Sequence, residues 1–423
     1  MSLTADSSAL RSIRSAGAAV RERLESPVTT YYLLLSVTSI LVSFGLIMVL
    51  SASMIVSLKE DGSSFTIFLS QLQFAVIGAV AMYWAAGRSI AFWKKLAVPA
   101  LAGAIVLQLL VFTPLGMGYQ GNRNWLDFGV ASVQPSELGK IALVLFGAAM
   151  LARKQRLLGD IRHALIPFVF PAAGLVLLLV MLGHDLGTAM VLASIVVGML
   201  FAAGVSLRWF LVGSGVLVAL GLVAARTSSN RMERISIWLD RSLCNPTSDP
   251  ELYYGICRQP LHGRYALADG GWWGVGLGAS REKWQWLSEP HNDFIFAIIG
   301  EELGLPGTLL ILGLFAVLVL ACNRIVARTD DFFVRIATAG ILTWIVVQAI
   351  INIGAVIGLL PVIGVPLPFV SSGGSSLITT MLASGILLSF ARREPGCEAA
   401  LAARPSLVRR SLAVLPPIRR GAR

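Results

Sequence analysis

The residues most suited to chemistry are carboxylates stranded in apolar sequence. The stretch "EPHNDFIFAIIGEELG" (289–304) sets Asp293, Glu301 and Glu302 among Phe, Ile, Ala and Gly, just before a long apolar segment. Desolvating a carboxylate at the mouth of a membrane helix is costly, so each needs a partner or a use. A carboxylate held at a cleft edge, its pKa lifted by desolvation, is suited to take a proton from a hydroxyl. Asp293 is the candidate base. Glu301 and Glu302 are expected to be helix positions satisfied by neighbours near the outer end.

Further ionisable groups recur at span ends. "QPSELGK" (134–140) starts a span after Pro135, with Ser136 placed to cap it, and sets Glu137 and Lys140 three apart on one helical face. Inside a bilayer the two should pair, either as an orienting ion pair or as participants in chemistry. Asp185 in "GHDLGT" (183–188) occupies a tight outer turn, where it makes the turn or caps the next helix. Cations come from Arg123 in the polar, aromatic loop "GYQGNRNWLDFG" (118–129) and from Arg231 and Arg234 on the polar side of "RMERISIWLD" (231–240), which has the spacing of a short interfacial helix. Lys283 follows the glycine run "GGWWGVGLGAS" (270–280). That run lacks the Lys-Ser/Thr of a P-loop and the strand-turn-helix setting of a dinucleotide site, which leaves only a backbone nest for another phosphate.

Cations gathered around an isolated acid in a water-facing membrane cleft suit an anionic, lipid-linked substrate presented at the outer leaflet. Charge on such a substrate calls for a divalent cation at Asp293, or for Lys140, Arg123, Arg231 or Arg234. No organic cofactor is expected.

These residues need a membrane scaffold, and the composition supplies one. With 56% hydrophobic and 13% charged residues and a mean hydropathy of +0.76, the chain lies far from soluble domains, where about a quarter of residues are charged. A bilayer core takes about 20 apolar residues per helix. Apolar windows at 26–58, 62–87, 96–122, 141–152, 164–183, 186–207, 209–225, 303–323 and 336–391, the last long enough for two helices, predict ten spans. The expectation is thus an all-α polytopic membrane protein with ten transmembrane helices. Its membrane domain covers 31–392, between a basic tail at 1–30 and an Arg-rich tail at 393–423. The tails and the loops on their side hold 23 of the 34 Lys and Arg residues, so the positive-inside rule puts both termini in the cytoplasm. A long extracytoplasmic loop (227–291) then joins helices 7 and 8 and holds Cys244 and Cys257, placed in an oxidising compartment and expected to form a disulfide. The net charge of +11 matches attraction to anionic lipid, and no nucleic-acid module is present.

Taken in order, "GNRNWLDFG", "QPSELGK", "DLGTAM", "GVGLGASREKWQWLSEPHNDFIFAIIGEELGLPG" and "INIGAVIGLLPVIGVPLPFVSSGGSSL" resemble the SEDS family (shape, elongation, division and sporulation) over about residues 30 to 392. The division branch is the nearer match and the elongation branch the runner-up. The resemblance implies a ten-helix SEDS fold and a peptidoglycan glycosyltransferase that polymerises lipid II, with an undecaprenyl-linked glycan strand as donor. It also implies a class B penicillin-binding protein and other divisome proteins as partners, in the bacterial cytoplasmic membrane at the division septum. The family's essential aspartate falls on Asp293, and its Glu and Lys fall on Glu137 and Lys140. Where the family usually has a small hydroxylic residue this chain has Asn292, and where it usually has proline the chain has His184. A lipid II flippase is the alternative activity, and Glu137 and Lys140 would then line its route.

Overall fold

The computed structural model describes residues 26–403, apart from 120–121, 128, 130–131, 227–228, 248 and 285. The terminal arginines from Arg404 to Arg423 lie outside the described residues. Eight helices among the described residues are long and apolar enough to cross a membrane. They are α1 (Thr29–Asp61), α2 (Thr66–Ala86), α3 (Ile90–Leu110), α4 (Pro135–Arg153), α5 (Ile161–Leu182), α11 (Ile295–Arg328), α12 (Phe332–Val356) and α13 (Gly374–Ala391). The shorter apolar helix α6 (Leu186–Ala202) and α7 (Leu207–Arg226) fall where the sequence puts spans six and seven. Outside the spans lie α8 (Ser229–Leu239), α9 (Pro250–Tyr254), α10 (Arg258–Gly270) and α14 (Cys397–Ala402).

Local chemistry sets several helix ends. Ser89, Asp185 and Asp331 cap α3, α6 and α12 by accepting from the Phe92, Thr188 and Phe333 amides. α1 stops at Gly62, whose φ of 73° is the left-handed cap that glycine reaches without strain. His184 has φ 62°, a value that a proline ring forbids.

Two expectations change. The fold is not purely α-helical: the window 96–122 ends in a helix only to Leu110, and Gly116–Tyr119 (β1), Asn122–Asp127 (β2) and Ser132–Val133 (β3) form an antiparallel sheet in the order β1-β2-β3. Pairing satisfies backbone groups that an open loop at the membrane edge would leave bare. α11 also begins at Ile295, ahead of the window 303–323, and Gly304 breaks it with φ 62°, ψ −156°. At the break, the Glu301 and Glu302 carbonyls accept from the Val275 and Gly276 amides at 2.9 and 3.0 Å. The glycine run is therefore spent on packing against α11, and these amides form no phosphate nest. A Cβ on Gly274 would lie 2.3 Å from the Glu302 carbonyl oxygen, which explains why glycine stands there.

The centre of the bundle is α4, α12 and α13, which bury the largest shares of their surfaces, whereas α2 and α3 expose apolar side chains such as Val76, Val80, Val98 and Val106 along their outer faces. Exposed apolar faces suit lipid, while polar side chains in the centre must find partners within the protein. The segment after α13 also joins the bundle. Glu394 accepts from Thr30 Oγ1 at 3.1 Å and faces Arg328 Nη1 at 3.5 Å, and Cys397 is buried.

Candidate active site

Asp293 lies in the turn that leads through Phe294 into α11, and its backbone is fixed from several directions. His291 O accepts from the Ser372 amide at 2.8 Å, Asn292 O from Ser371 Oγ at 2.7 Å, and Asp293 O from Asn352 Nδ2 at 2.8 Å. Asn352 Nδ2 also donates to Val365 O at 2.8 Å, and Gln348, one turn earlier on α12, donates to Pro366 O at 2.9 Å. One face of α12 thus holds both the acid and the uncharged loop that follows α12. That loop packs back into the protein, burying Val365, Leu367 and Phe369, and forms a wall of the small pocket that Asp293 lines. A Cβ on Gly364 would stand 3.5 Å from Asp293 Oδ2, and with φ 78° at that position glycine keeps the space before the carboxylate open.

The electrostatics follow from this enclosure. Desolvation pushes the Asp293 carboxyl up to about 6, Glu289 adds to the rise, and Arg234 opposes it. No hydrogen bond reaches that carboxylate among the described residues. Glu289, which accepts from Asn292 Nδ2 at 2.6 Å, has φ 53°, and Phe369 has φ 66°. Non-glycine residues in the left-handed region persist only where surroundings hold them, and they gather at functional sites.

The expected cations separate on folding. Arg234 comes to the acid: α8 lays it against the loop, where Nη1 donates to Val362 O at 3.2 Å and its charge acts on Asp293. The side chain of Arg231 lies outside the described residues. Arg123 holds the sheet instead, with Nη2 on Thr113 O at 2.8 Å and its amide on Gly183 O at 2.9 Å. Lys283 is buried rather than facing a substrate, because Nζ reaches Glu302 Oε1 at 3.0 Å and Gly278 O at 2.6 Å. Glu302 also accepts from Ser51 at 2.7 Å, and Glu301 from the Arg281 amide at 2.6 Å, so both glutamates are satisfied by neighbours as their setting requires. Asp185 caps α6 and also accepts from Asn124 Nδ2 at 2.8 Å and Gln134 Nε2 at 2.9 Å, tying the sheet to the helices.

Glu137 and Lys140 form a buried pair at 2.8 Å. Lys140 also donates to Gln348 Oε1 at 3.1 Å and sits 4.9 Å over the Trp344 ring, and Glu137 Oε2 accepts from Thr379 at 3.1 Å. The pair is saturated and joins α4, α12 and α13, and through Gln348 it reaches the loop beside Asp293. Such a closed network suits a structural brace, not a polar route across the bilayer.

In the segment between α7 and α11, Cys244 and Cys257 are joined, Cα to Cα 5.8 Å. Among the described residues no three His, Cys, Asp or Glu side chains converge on a metal site. Magnesium is ordinarily held by one or two carboxylates together with substrate phosphates, and Asp293, with Glu289 acting on it, fits that smaller share. Sequence reasoning overlooked Gln348, Asn352, Glu289 and Gly364. The first two had a visible signal, two amides four apart on one face of an otherwise apolar span.

Residues 31–395 match the family model for the cell cycle proteins FtsW, RodA and SpoVE. A probable peptidoglycan glycosyltransferase FtsW from Mycobacterium tuberculosis is 41% identical over 381 residues, covering 90% of this chain and 71% of the relative. Stage V sporulation protein E from Bacillus subtilis is 38% identical, covering 85% of this chain and 96% of the relative. Among solved structures, a chain of a peptidoglycan synthase complex that coordinates polymerization and crosslinking superposes with TM-score 0.66 at 25% identity, covering 85% of this chain and 96% of that one. The rod shape determining protein RodA of Thermus thermophilus gives TM-score 0.61 at 24% identity, with 85% and 96% covered.

Proposed function

The chain belongs to this family of cell cycle proteins, and from that premise we propose that it is a peptidoglycan glycosyltransferase polymerising lipid II at the outer face of the bacterial cytoplasmic membrane during division. The observation that carries the reading is the partly enclosed Asp293 carboxylate, without a hydrogen-bond donor among the described residues, at the pocket beside Arg234. Ten spans with cytoplasmic termini put that carboxylate where lipid tails give way to the outer surface. The division role follows the naming of the similar relatives, and septal placement is part of the proposal.

The residues divide the work simply. Asp293 takes the proton from a sugar hydroxyl of the incoming lipid-linked disaccharide. The freed oxygen attacks the anomeric carbon of the growing strand, and the bond from that carbon to the undecaprenyl pyrophosphate breaks. Charge growing on the leaving oxygen is met by Arg234. A divalent cation, held by Asp293 with Glu289 and the phosphate oxygens, would add Lewis-acid stabilisation of the same group. Asn352 and Gln348 keep the acid and the loop in register, and the Glu137–Lys140 pair braces Gln348. A class B penicillin-binding protein as crosslinking partner draws support from the likeness to the synthase-complex chain.

The test is Asp293→Asn, purified in detergent and given lipid II. Since general-base catalysis contributes about a hundredfold or more, glycan strands should fall at least that far while folding and membrane insertion persist. Polymerisation at the wild-type rate would end the reading.

A further inference from the structure

Glu282 is a buried carboxylate in the turn between the glycine run and Asp293, and its side chain crosses to α10, where Oε2 lies 2.7 Å from His262 Nδ1. An ionised carboxylate only accepts, so Nδ1 carries the hydrogen of that bond. The imidazole is gripped on its face as well, since Trp286 stacks on it with centroids 5.7 Å and planes 22° apart. One helical turn earlier on α10, Arg258 Nε donates to Trp286 O at 2.8 Å. Two side chains four apart on one helix thus hold the same short turn. Burial raises the Glu282 pKa, His262 lowers it, and Glu301 and Asp269 raise it further. A carboxylate kept there against desolvation and two like charges needs its bond to His262, and that bond ties α10 down.

α10 in turn lies on the residue next to the acid. A Cβ on Gly263, the neighbour of His262, would stand 2.7 Å from Phe294 Cε1, so glycine lets the helix rest on that ring. Phe294 is buried and follows Asp293 directly. Further along α10, Gly270 leaves no room for a Cβ against the Gly300 carbonyl, which keeps the helix close to the start of α11. At its other end α10 starts from Cys257, which is bonded to Cys244 beyond α8, and Pro260 lines the same groove as Arg234. The helix therefore connects the two segments that bring Asp293 and Arg234 together.

We propose that His262 and Glu282 are positioning residues of the active site: their bond seats α10 on Phe294 and so fixes the Asp293 carboxylate in its enclosure and against Arg234. This rests on Asp293 being the base of the glycosyltransferase reading. Neither side chain lines the Asp293 pocket, so their influence runs through α10 and Phe294.

Kinetics and amide exchange in the full-length protein test the proposal together. His262→Phe with Glu282→Gln removes the bond, keeps a ring against Trp286 and strands no charge. Lipid II polymerisation by this variant should show kcat lower by about tenfold to a hundredfold, the effect of a slightly misplaced reacting group, with KM changed less. Its acid limb should move below pH 6, because a loosened turn lets water reach the Asp293 carboxylate. The amides of Leu287 and Phe294, which donate to the Glu282 and Glu289 carbonyls, should exchange faster than in wild type, while those of α12 keep their rates. His262→Asn sets an amide N–H near the place of Nδ1–H and should recover most of the lost kcat. A wild-type kcat and an unmoved limb in the double variant would overturn the proposal, as would a loss that His262→Asn shares in full, which would make the imidazole mere packing. Faster exchange beside wild-type polymerisation by Asp293→Asn would instead sink the glycosyltransferase reading, leaving the hold on α10 in place with no base for it to serve.

Discussion

The pH dependence of polymerisation is the sharpest consequence of the geometry. Lifting a carboxyl from 3.8 to about 6 makes its ionised form about 3 kcal/mol more costly than in water, at 1.36 kcal/mol per pH unit. A base works only when ionised, so kcat/KM should reach a plateau above pH 7 and fall on an acid limb centred near 6. At pH 5 about one molecule in ten would carry the ionised acid, giving roughly tenfold lower kcat/KM than at pH 7. The neighbours then make opposed predictions. Arg234 holds the carboxyl down, so Arg234→Gln should move the limb to higher pH; Glu289 pushes it up, so Glu289→Gln should move it lower. The same shift bears on stability. A raised acid binds its proton more tightly when folded, so its stabilising effect is complete below about pH 4 and lost as pH rises through about 6. Asp293→Asn, which cannot ionise, should therefore be more stable than wild type at pH 7.5 by up to about 3 kcal/mol. The assay is the initial rate of strand formation from labelled lipid II in detergent between pH 4.5 and 8.5, beside thermal unfolding of both proteins. A profile flat down to pH 4.5, or limbs that move the same way in both neighbour variants, would refute the reasoning.

Other consequences concern the frame around the acid. Lys283→Met strands the Glu302 charge in the interior and should cost about 3–5 kcal/mol in thermal unfolding, much of it recovered when Glu302→Leu is added; an unchanged melting temperature would mean the pair is solvated. Gly304→Ala would carry a Cβ 2.4 Å from the Gly274 amide nitrogen at φ 62°, so limited proteolysis should cut near 270–280 sooner than in wild type. Alkylation under denaturing conditions without reductant should label Cys322 and Cys397 only, and all four cysteines after reduction; four labels without reductant would exclude the Cys244–Cys257 bond.

The residues themselves determined much of this protein. Apolar windows of bilayer length, with few charges left over, require a helical membrane bundle, because backbone groups in lipid must be satisfied within each segment. The carboxylate in "NDFIF" is marked by its cost as needing a partner or a use, and Glu137 and Lys140 three apart could hardly do other than pair. What the sequence could not settle was which distant cation would meet the acid. Arg123, Lys140, Lys283 and Arg234 carry the same charge and similar prominence in the chain, and only the packed fold commits three of them elsewhere, to the Thr113 carbonyl, to Glu137 and to Glu302. Arg234 arrives because α8 folds back onto the loop after α12. Asn352 reaches Asp293 across 59 positions. Periodicity describes one element at a time, while a site assembled from a turn, a loop and two helices depends on how these elements pack, and that is decided only when the whole chain closes.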